Sequence, residues 1–319
     1  MKKIPSVALG LPVYNGENYL AEALDSLLSQ TFSDFELLIS DNASTDGTAE
    51  ICKAYAARDD RIRYVRQDRN IGAPGNYDYV FHATESPYFK WVAHDDLIGE
   101  RFLETCVAEL DANPDAAGAI PAEIRDIDST GAVIEITTND MDPDGASTSQ
   151  RFRHYVMQGY HTPSFSPLFS LYRRTALARS QLYGDYRASD RVLTCEMLLH
   201  GRIVSTEGSS LSIRRHAEQF TSNYHQGDDY WAAWSDPDGP KKDFYLRDTP
   251  YILALLKAVM RAPLGLGARA GALNTVLAFA WERRKNLAAE TKWRFAVNMK
   301  SSKVGRAMWQ TAKRVRASQ

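Results

Sequence analysis

The residues best able to do chemistry are acids placed just past stretches that read as strands. Asp41 opens the run Asp41-Asn42-Ala43-Ser44-Thr45-Asp46-Gly47, and Asp95-Asp96 follow His94 after an apolar stretch. A third polar run, Pro12-Val13-Tyr14-Asn15-Gly16-Glu17, lies behind the first apolar stretch of the chain. In an open α/β sheet, ligands bind beyond the carboxyl ends of the strands, so the three runs are expected to converge on one crevice. Adjacent carboxylates suit a hard cation, Mg or Mn, able to bridge the protein to a diphosphate. An Asp-Asp pair by itself is more often a solvated loop or helix cap. Its place after a strand, with Asp41 on the same rim, favours the metal.

Other ways of holding phosphate are missing. A dinucleotide-binding first turn needs glycines that let a pyrophosphate approach the helix, and Pro12 to Leu20 offers only Gly16. There is no glycine-rich loop ending in Gly-Lys-Ser/Thr. Cys52, Cys106 and Cys195 are far apart with no CxxC pair, so they read as buried free thiols in a reducing compartment.

The elements that must hold these residues show in the periodicity. Ser6 to Leu11 reads as a first strand, and Leu20, Ala23, Leu24, Leu27 and Leu28 mark one face of a helix. Phe35 to Ser40 is a second strand, followed by a helix to about Ala57 that the Ser44 to Gly47 side chains can cap. Ile62 to Arg66 and Tyr88 to Ala93 are further strands. Phe102, Leu103, Cys106, Val107 and Leu110 mark a helix closed by Asn113-Pro114. Between Ala117 and about Ser149 the pattern weakens into short strands and polar loops. A helix spans Ser189 to Leu199, a short strand spans Leu211 to Ile213, and three helical segments follow over Tyr245 to Met260, Ala268 to Lys285 and Glu290 to Val315. The alternation predicts a mostly parallel sheet covered by helices on both faces.

The 319 residues, 44% hydrophobic, suffice for one catalytic domain with an extension. The net charge of −2 conceals an asymmetry: from Arg261 onward there are 13 Lys/Arg against two acids, Glu282 and Glu290. That end carries +11 and the rest −13. Its basic residues are interleaved with Trp281, Trp293, Phe295 and Trp309, a mixture suited to an anionic membrane face. Docking on the acidic body of the same chain would answer the same charge, and both readings stand. Nucleic acid is not expected, since no recognition motif accompanies the charge. No stretch is apolar enough to span a bilayer, and Met1-Lys2-Lys3-Ile4-Pro5 lacks a secretory core. A cytoplasmic location, with peripheral contact at the inner face of the cell membrane, is the expectation.

Pro12-Val13-Tyr14-Asn15, then Leu20 to Gln30, then Ser40 to Thr48 closely resemble the N-terminal signature of the family 2 glycosyltransferases. Arg66, Asn70, Gly72, Asn76 and Asp95-Asp96 match in order and spacing, and the resemblance runs from about Val7 to His216. It implies a GT-A type nucleotide-diphospho-sugar transferase fold, α/β with a mostly parallel central sheet flanked by helices and followed by a C-terminal helical extension. It places Pro12, Tyr14 and Glu17 near ribose and base, Asp41 on the base, and Asn70 on the nucleotide side of the cleft. The family's Asp-x-Asp metal motif falls on Ala93-His94-Asp95, so its first Asp is missing while Asp95, the usual ligand for Mn or Mg, is kept, with Asp96 assisting directly or through water. The family's general base corresponds to Asp190, eleven residues before Gly201. A helix-terminal acid favoured by the dipole is the alternative account of that residue; the spacing and family order favour catalysis, with Asp185 and Glu196 as rival bases. Arg214-Arg215-His216 resembles the family's basic segment, with His216 either a further metal or phosphate ligand or a hydrogen-bonded structural residue.

The resemblance divides the chain into a catalytic domain over 1–219, an aromatic-rich loop over 220–245 and a basic helical extension over 246–319. Tyr224, Tyr230, Trp231 and Trp234 of the loop could stack on an acceptor sugar or simply pack. The implied function is inverting transfer of a sugar from a nucleotide-diphosphate sugar to a hydroxyl of a glycan or lipid-linked acceptor, in surface polysaccharide or glycoconjugate synthesis. Two alternatives are a nucleotidyltransferase of sugar activation, which would want a glycine-rich basic loop after the first strand, and a non-catalytic nucleotide-binding scaffold.

Overall fold

A computed structural model describes residues 3–139, 141–142, 145–158, 167–219, 234, 235, 237 and 246–301. The loop residues Tyr224, Tyr230 and Trp231 and the basic residues beyond Ser301 lie outside the described residues, as does most of the 220–245 segment.

The first half repeats strand and helix. β1 (Val7–Val13), α1 (Leu20–Leu28), β2 (Phe35–Asp41), α2 (Thr48–Ala56), β3 (Ile62–Arg66), α3 (Gly72–His82) and β4 (Tyr88–Trp91) follow in order. β1 is buried along its whole length, and Leu20, Ala23, Leu24 and Leu27 form the buried face of α1. After them come β5 (Leu97–Ile98), α4 (Phe102–Ala112), β6 (Ala116–Ile127), β7 (Val133–Thr138), α5 (Thr148–Met157), β8 (Leu171–Arg173), α6 (Arg174–Leu177), α7 (Ser189–His200) and β9 (Arg202–Arg214). The nine strands make one sheet in the order β3-β2-β1-β4-β8-β6-β9-β5, with β7 pairing on β6.

The sense of each strand decides where the chemistry collects. β1 pairs parallel with β2 and β4, and β3 parallel with β2. β8 runs antiparallel to both β4 and β6, so β6 points the same way as β4, and β9 is parallel to β6. The carboxyl ends of β1, β2, β4, β6 and β9 therefore share one edge. α7 precedes β9 as a crossover, which brings its N-terminus back to that edge.

Three regions depart from the sequence expectations. α3 was not legible, because Gly72, Pro74 and Gly75 break its apolar period; it is held instead by polar docking, with Asn76 Nδ2 donating to Ser40 O at 2.9 Å and Ser40 Oγ donating to Asn76 Oδ1 at 2.6 Å. The stretch expected as short strands and loops contains the long strand β6. Its Ala, Gly, Pro and Asp content is poor for a strand, but flanking strands on both sides override propensity. Pro121 falls at a bulge where the β6–β9 register shifts, the opposite bulge on β9 being turned by Gly208 at φ +78°. The short strand expected at Leu211–Ile213 is the end of the 13-residue β9.

Three helices close the described chain: α8 (Asp248–Arg261), α9 (Leu266–Glu282) and α10 (Arg284–Ser301). Glu290 of α10 caps α8, its carboxylate accepting from the backbone N–H groups of Arg247, Asp248 and Thr249 at 2.7, 2.8 and 2.9 Å. α8 packs on α7, and α9 on α5. Arg261 makes a two-pronged bond to Glu196 of α7, Nε to Oε1 and Nη2 to Oε2, both at 2.9 Å. That bond, with Gln181 N–H on Oε2, makes Glu196 a structural acid.

Candidate active site

The loops after β1 and β2 are fastened to each other. Val13 and Asp41 stand level in the register, so the loops leave the sheet side by side. Asn15 N–H donates to Ser44 Oγ at 2.9 Å, Gly16 N–H to Thr48 Oγ1 at 2.9 Å, and Thr45 N–H to Asn15 Oδ1 at 2.8 Å. Glu17 accepts from Gly47 N–H, while its own N–H donates to Asp46. Asp46 also caps α2 through Thr48. A Cβ on Gly16 would come within 2.6 Å of the His94 ring, so the glycine lets the first loop lie against the loop after β4. Asn15, Ala43 and Ala188 are three of the four described non-glycine residues at positive φ, and each borders a site loop, where strain of this kind tends to concentrate.

The nucleotide-binding expectations divide on burial. Tyr14 is 46% exposed at the rim. Glu17 is also exposed and braces the second loop. Pro12 is a buried residue of β1, level with Ser40. β4 ends opposite Gly10, so the N–H that Pro12 lacks is not needed by a second neighbour. Asn70 Oδ1 accepts from Asn42 Nδ2 at 2.8 Å and from Gly72 N–H at 2.9 Å, tying the loop before α3 to the loop after β2.

Asp41, expected on the base, is held by protein donors in this structure. Its side chain has no exposed surface, and its carboxylate accepts from Ser44 N–H at 2.8 Å, Tyr64 Oη at 2.8 Å and Arg66 Nη1 at 2.7 Å. With those acceptor sites occupied, Asp41 fixes the exposed Arg66, whose Nη2 also donates to Ser44 O at 2.7 Å. Arg66, rather than Asp41, is the charged group presented to solvent at this end.

Beyond β4, Asp95 Oδ2 lies 3.0 Å from His216 Nε2, and the His216 ring centroid is 4.7 Å from that of Tyr19. Burial pushes the Asp95 carboxyl up, but the His216 hydrogen bond and the nearby His94 and His216 outweigh it and hold it below the ordinary value. Asp96 behaves oppositely. It accepts from Arg214 N–H at 3.0 Å, and burial, then the Asp95 charge, push its pKa up to about 8. Its carboxylate is thus turned onto the Arg214 backbone behind Asp95, and direct ligation of a metal by Asp96 stays an expectation from the sequence.

Carboxylate and imidazole are both ligand types for a divalent cation, and Asp95 and His216 already stand side by side, joined by a hydrogen bond of 3.0 Å. Among the described residues no group of three or more His, Cys, Asp or Glu side chains gathers as a preformed cage. A cation here would therefore rely on diphosphate oxygens for the rest of its shell, as Mg-type ions commonly do.

Arg214 and Arg215 were grouped with His216 in the sequence, and the structure separates their roles. Arg214 is fully buried, with Nε donating to Asp95 O at 2.9 Å, Nη2 to Glu22 at 2.6 Å and its guanidinium 4.6 Å from the Tyr19 ring centroid. It anchors the Asp95-Asp96 turn from behind. Arg215 pairs with Asp126 at 2.8 Å.

Asp190 stands in the first turn of α7, partly buried, and burial raises its pKa despite the adjacent Arg191. Tyr77 of α3, which sequence reasoning missed, is buried nearby, and that burial first, then the neighbouring acids Asp95, Asp96 and Asp190, push its phenol pKa up. The ring lies 4.5 Å from that of Tyr183 and 6.4 Å from that of Trp91. Asn76, next in sequence, was the available signal. The rival base Asp185 is exposed and accepts from Ser235 Oγ. Trp234, the one described aromatic of the long loop, lies 6.0 Å from the Tyr183 ring.

Residues 9–180 match the sequence family Glycosyl transferase family 2. The match ends before Asp190, Arg214 and His216. Among curated bacterial proteins, Glycosyltransferase GlyA of Streptococcus pneumoniae serotype 4 (strain ATCC BAA-334 / TIGR4) is 37% identical over 95 residues, 30% of this chain and 14% of that protein. The chain spans under half the length of the curated relatives it was compared with, from 13% to 40%. S. aureus TarS 1-349 in complex with UDP-GlcNAc superposes with a TM-score of 0.55 at 18% identity, covering 88% of this chain and 92% of that one. Mannosyltransferase PcManGT from Pyrobaculum calidifontis, in complex with GDP-Man and Mn2+, gives 0.51 at 17% identity, covering 97% and 84%. These likenesses are of fold, and the expected GT-A architecture with its C-terminal helices is what this chain has.

Proposed function

Because the chain belongs to glycosyl transferase family 2, we propose that it moves one sugar from a nucleotide-diphosphate sugar to a hydroxyl of a glycan or lipid-linked acceptor, with inversion at the anomeric carbon. The observation that carries this reading is topological: the parallel strands put the loops after β1, β2 and β4 on one edge of the sheet, and α7, the crossover before β9, starts at that same edge with Asp190 in its first turn. Asp190, its pKa raised by burial, suits a general base near neutral pH. It takes the acceptor hydroxyl proton as that oxygen bonds to the anomeric carbon. The bond from that carbon to the diphosphate oxygen breaks on the opposite face, and the nucleoside diphosphate leaves with the electron pair. A divalent metal, Mn or Mg, held by Asp95 and His216 would supply positive charge to the departing diphosphate.

Tyr14, Glu17 and Asn70 border the nucleoside end, with Pro12 shaping the strand beneath them and Arg66, fixed by Asp41, supplying its positive charge. The UDP-GlcNAc bound to TarS and the GDP-Man and Mn2+ bound to PcManGT support a nucleotide-sugar donor and a divalent metal for this chain. Assembly of a surface polysaccharide or glycoconjugate is the setting such an acceptor implies.

The test is a thermal-shift screen of UDP- and GDP-sugars with and without Mn. A ligand at a hundredfold excess over Kd should add about 2.7 kcal/mol to stability, and the shift should be larger with Mn. Asp95→Ala should remove the Mn-dependent part. If no nucleotide sugar moved the melting temperature under either condition, the proposal would fail.

A further inference from the structure

The C-terminal helices present an outer surface that the rest of the fold does not explain. The inward face of α9 buries Ala272, Thr275, Val276 and Phe279, as a docked helix should. Its outward face carries Leu266, Leu277 and Trp281, which are 90%, 63% and 69% exposed and spaced to fall on one stripe. A helix apolar on both sides is normally covered on both sides, in a core or by lipid. α8 repeats the pattern, burying Tyr251, Leu255 and Val259 while exposing Leu253 and Met260 with Lys257 between them. Of the large hydrophobic side chains exposed on the described chain, the majority lie on these last three helices. They contribute little to the docking of the helices, which rests on the opposite faces and on Arg261–Glu196.

Charge selects what covers this surface. Arg284, Lys285, Lys292 and Arg294 are exposed just beyond the apolar stripe, while Glu282 is the one exposed acid between Leu266 and Phe295, Glu290 being buried as the cap of α8. Arg284 lies 4.7 Å from the Trp281 ring centroid, a cation resting on an interfacial aromatic. A second copy of the chain would bring the same positive surface to an isologous contact, like charge against like. An anionic bilayer surface instead attracts the bases and takes up the Leu, Met and Trp side chains. We propose that the outer face of α8–α10 is a peripheral docking surface for anionic lipid membrane, with Leu266, Leu277 and Trp281 entering the headgroup boundary and Arg284, Lys285 and Lys292 engaging anionic headgroups.

The experiment is vesicle sedimentation of the full chain with no donor or acceptor present. Phosphatidylcholine vesicles containing phosphatidylglycerol should carry the protein down, and pure phosphatidylcholine vesicles should carry far less. One basic residue near an anionic surface changes binding about five-fold, so the double variant Arg284→Gln, Lys285→Gln should bind about 25-fold more weakly. Trp281→Ser should weaken binding to both vesicle types, and the melting temperatures of the variants should stay at that of the parent chain. No sedimentation with anionic vesicles, equal sedimentation with both types, or indifference to the variants overturns the inference. A dimer in sedimentation velocity that Trp281→Ser dissociates overturns it as well, by giving the face to a second copy. A chain that docks but transfers nothing defeats the transferase reading alone, and one that transfers sugar without docking defeats this inference alone.

Discussion

At the scale of single residues, three carboxylates of similar sequence context acquire different chemistry from their surroundings. Asp41 is consumed by protein donors, Asp95 is held ionised beside His216, and Asp190 is left partly buried with its pKa raised by desolvation. The sign of the last shift sets a prediction. A general base must be ionised, so turnover should be lost as pH falls through the raised Asp190 pKa, on an acid limb lying above the value of an exposed Asp. Asp190→Asn should lower kcat by about 10²- to 10⁴-fold while the donor-dependent thermal shift persists. Unchanged turnover in a steady-state assay would remove Asp190 from the role.

At the scale of elements, α3 organises the cleft although it carries none of the acids expected to act there. Asn76 locks it to β2, the Tyr77 ring lies 4.5 Å from that of Tyr183, and Asp78 Oδ1 accepts from Tyr183 N–H at 3.1 Å, steadying the segment that leads into α7. Burial pushes the Asp78 pKa up to about 6 from 3.8. A carboxyl whose folded pKa is raised favours the fold fully below its unfolded value, and that contribution is lost as pH rises through about 6. Asp78→Asn keeps an acceptor for Tyr183 and removes the ionisation penalty. It should therefore raise stability at pH 7 by roughly 1 to 3 kcal/mol and leave it nearly unchanged at pH 4. Denaturant melts at the two pH values check this, and equal effects at both would show that charge is not the cause.

At the scale of the whole molecule, the basic C-terminal region has two faces with separate tasks. The inner face joins it to the catalytic sheet through α7, with Arg261 reaching a fully buried Glu196. Arg261→Met would strand that carboxylate with only Gln181 N–H as a donor. The expected loss is about 2 kcal/mol, less than for a wholly buried pair because the Arg261 side chain is open to water on one side. A single cooperative melt at lower temperature is the expected record. A separate early transition would mean that the helices unfold independently of the sheet. Among the described residues no helix is long and apolar enough to cross a membrane.

Apart from α3 and the two-residue β5, the strand and helix rhythm of the first 112 residues was legible because those elements are periodic and bounded by their own turn or cap. So were the loops after β1, β2 and β4, since ligand loops follow strand ends in this architecture. β6 and α3 were not, because Ala-, Gly- and Pro-containing segments take their conformation from neighbouring strands and polar docking rather than from their own preferences. By itself, the sequence determined the family, the parallel sheet and the residues available for chemistry. Only the tertiary structure decided which of them meet: the parallel sense of β4 and β9 sets His216 beside Asp95, the crossover returns Asp190 to the same edge, and Asp41 is turned onto Ser44, Tyr64 and Arg66 while Asp96 is turned onto the Arg214 backbone. Burial and partner geometry set those surroundings, and both depend on contacts between residues up to about two hundred positions apart, such as Glu22 and Arg214, which no local pattern encodes.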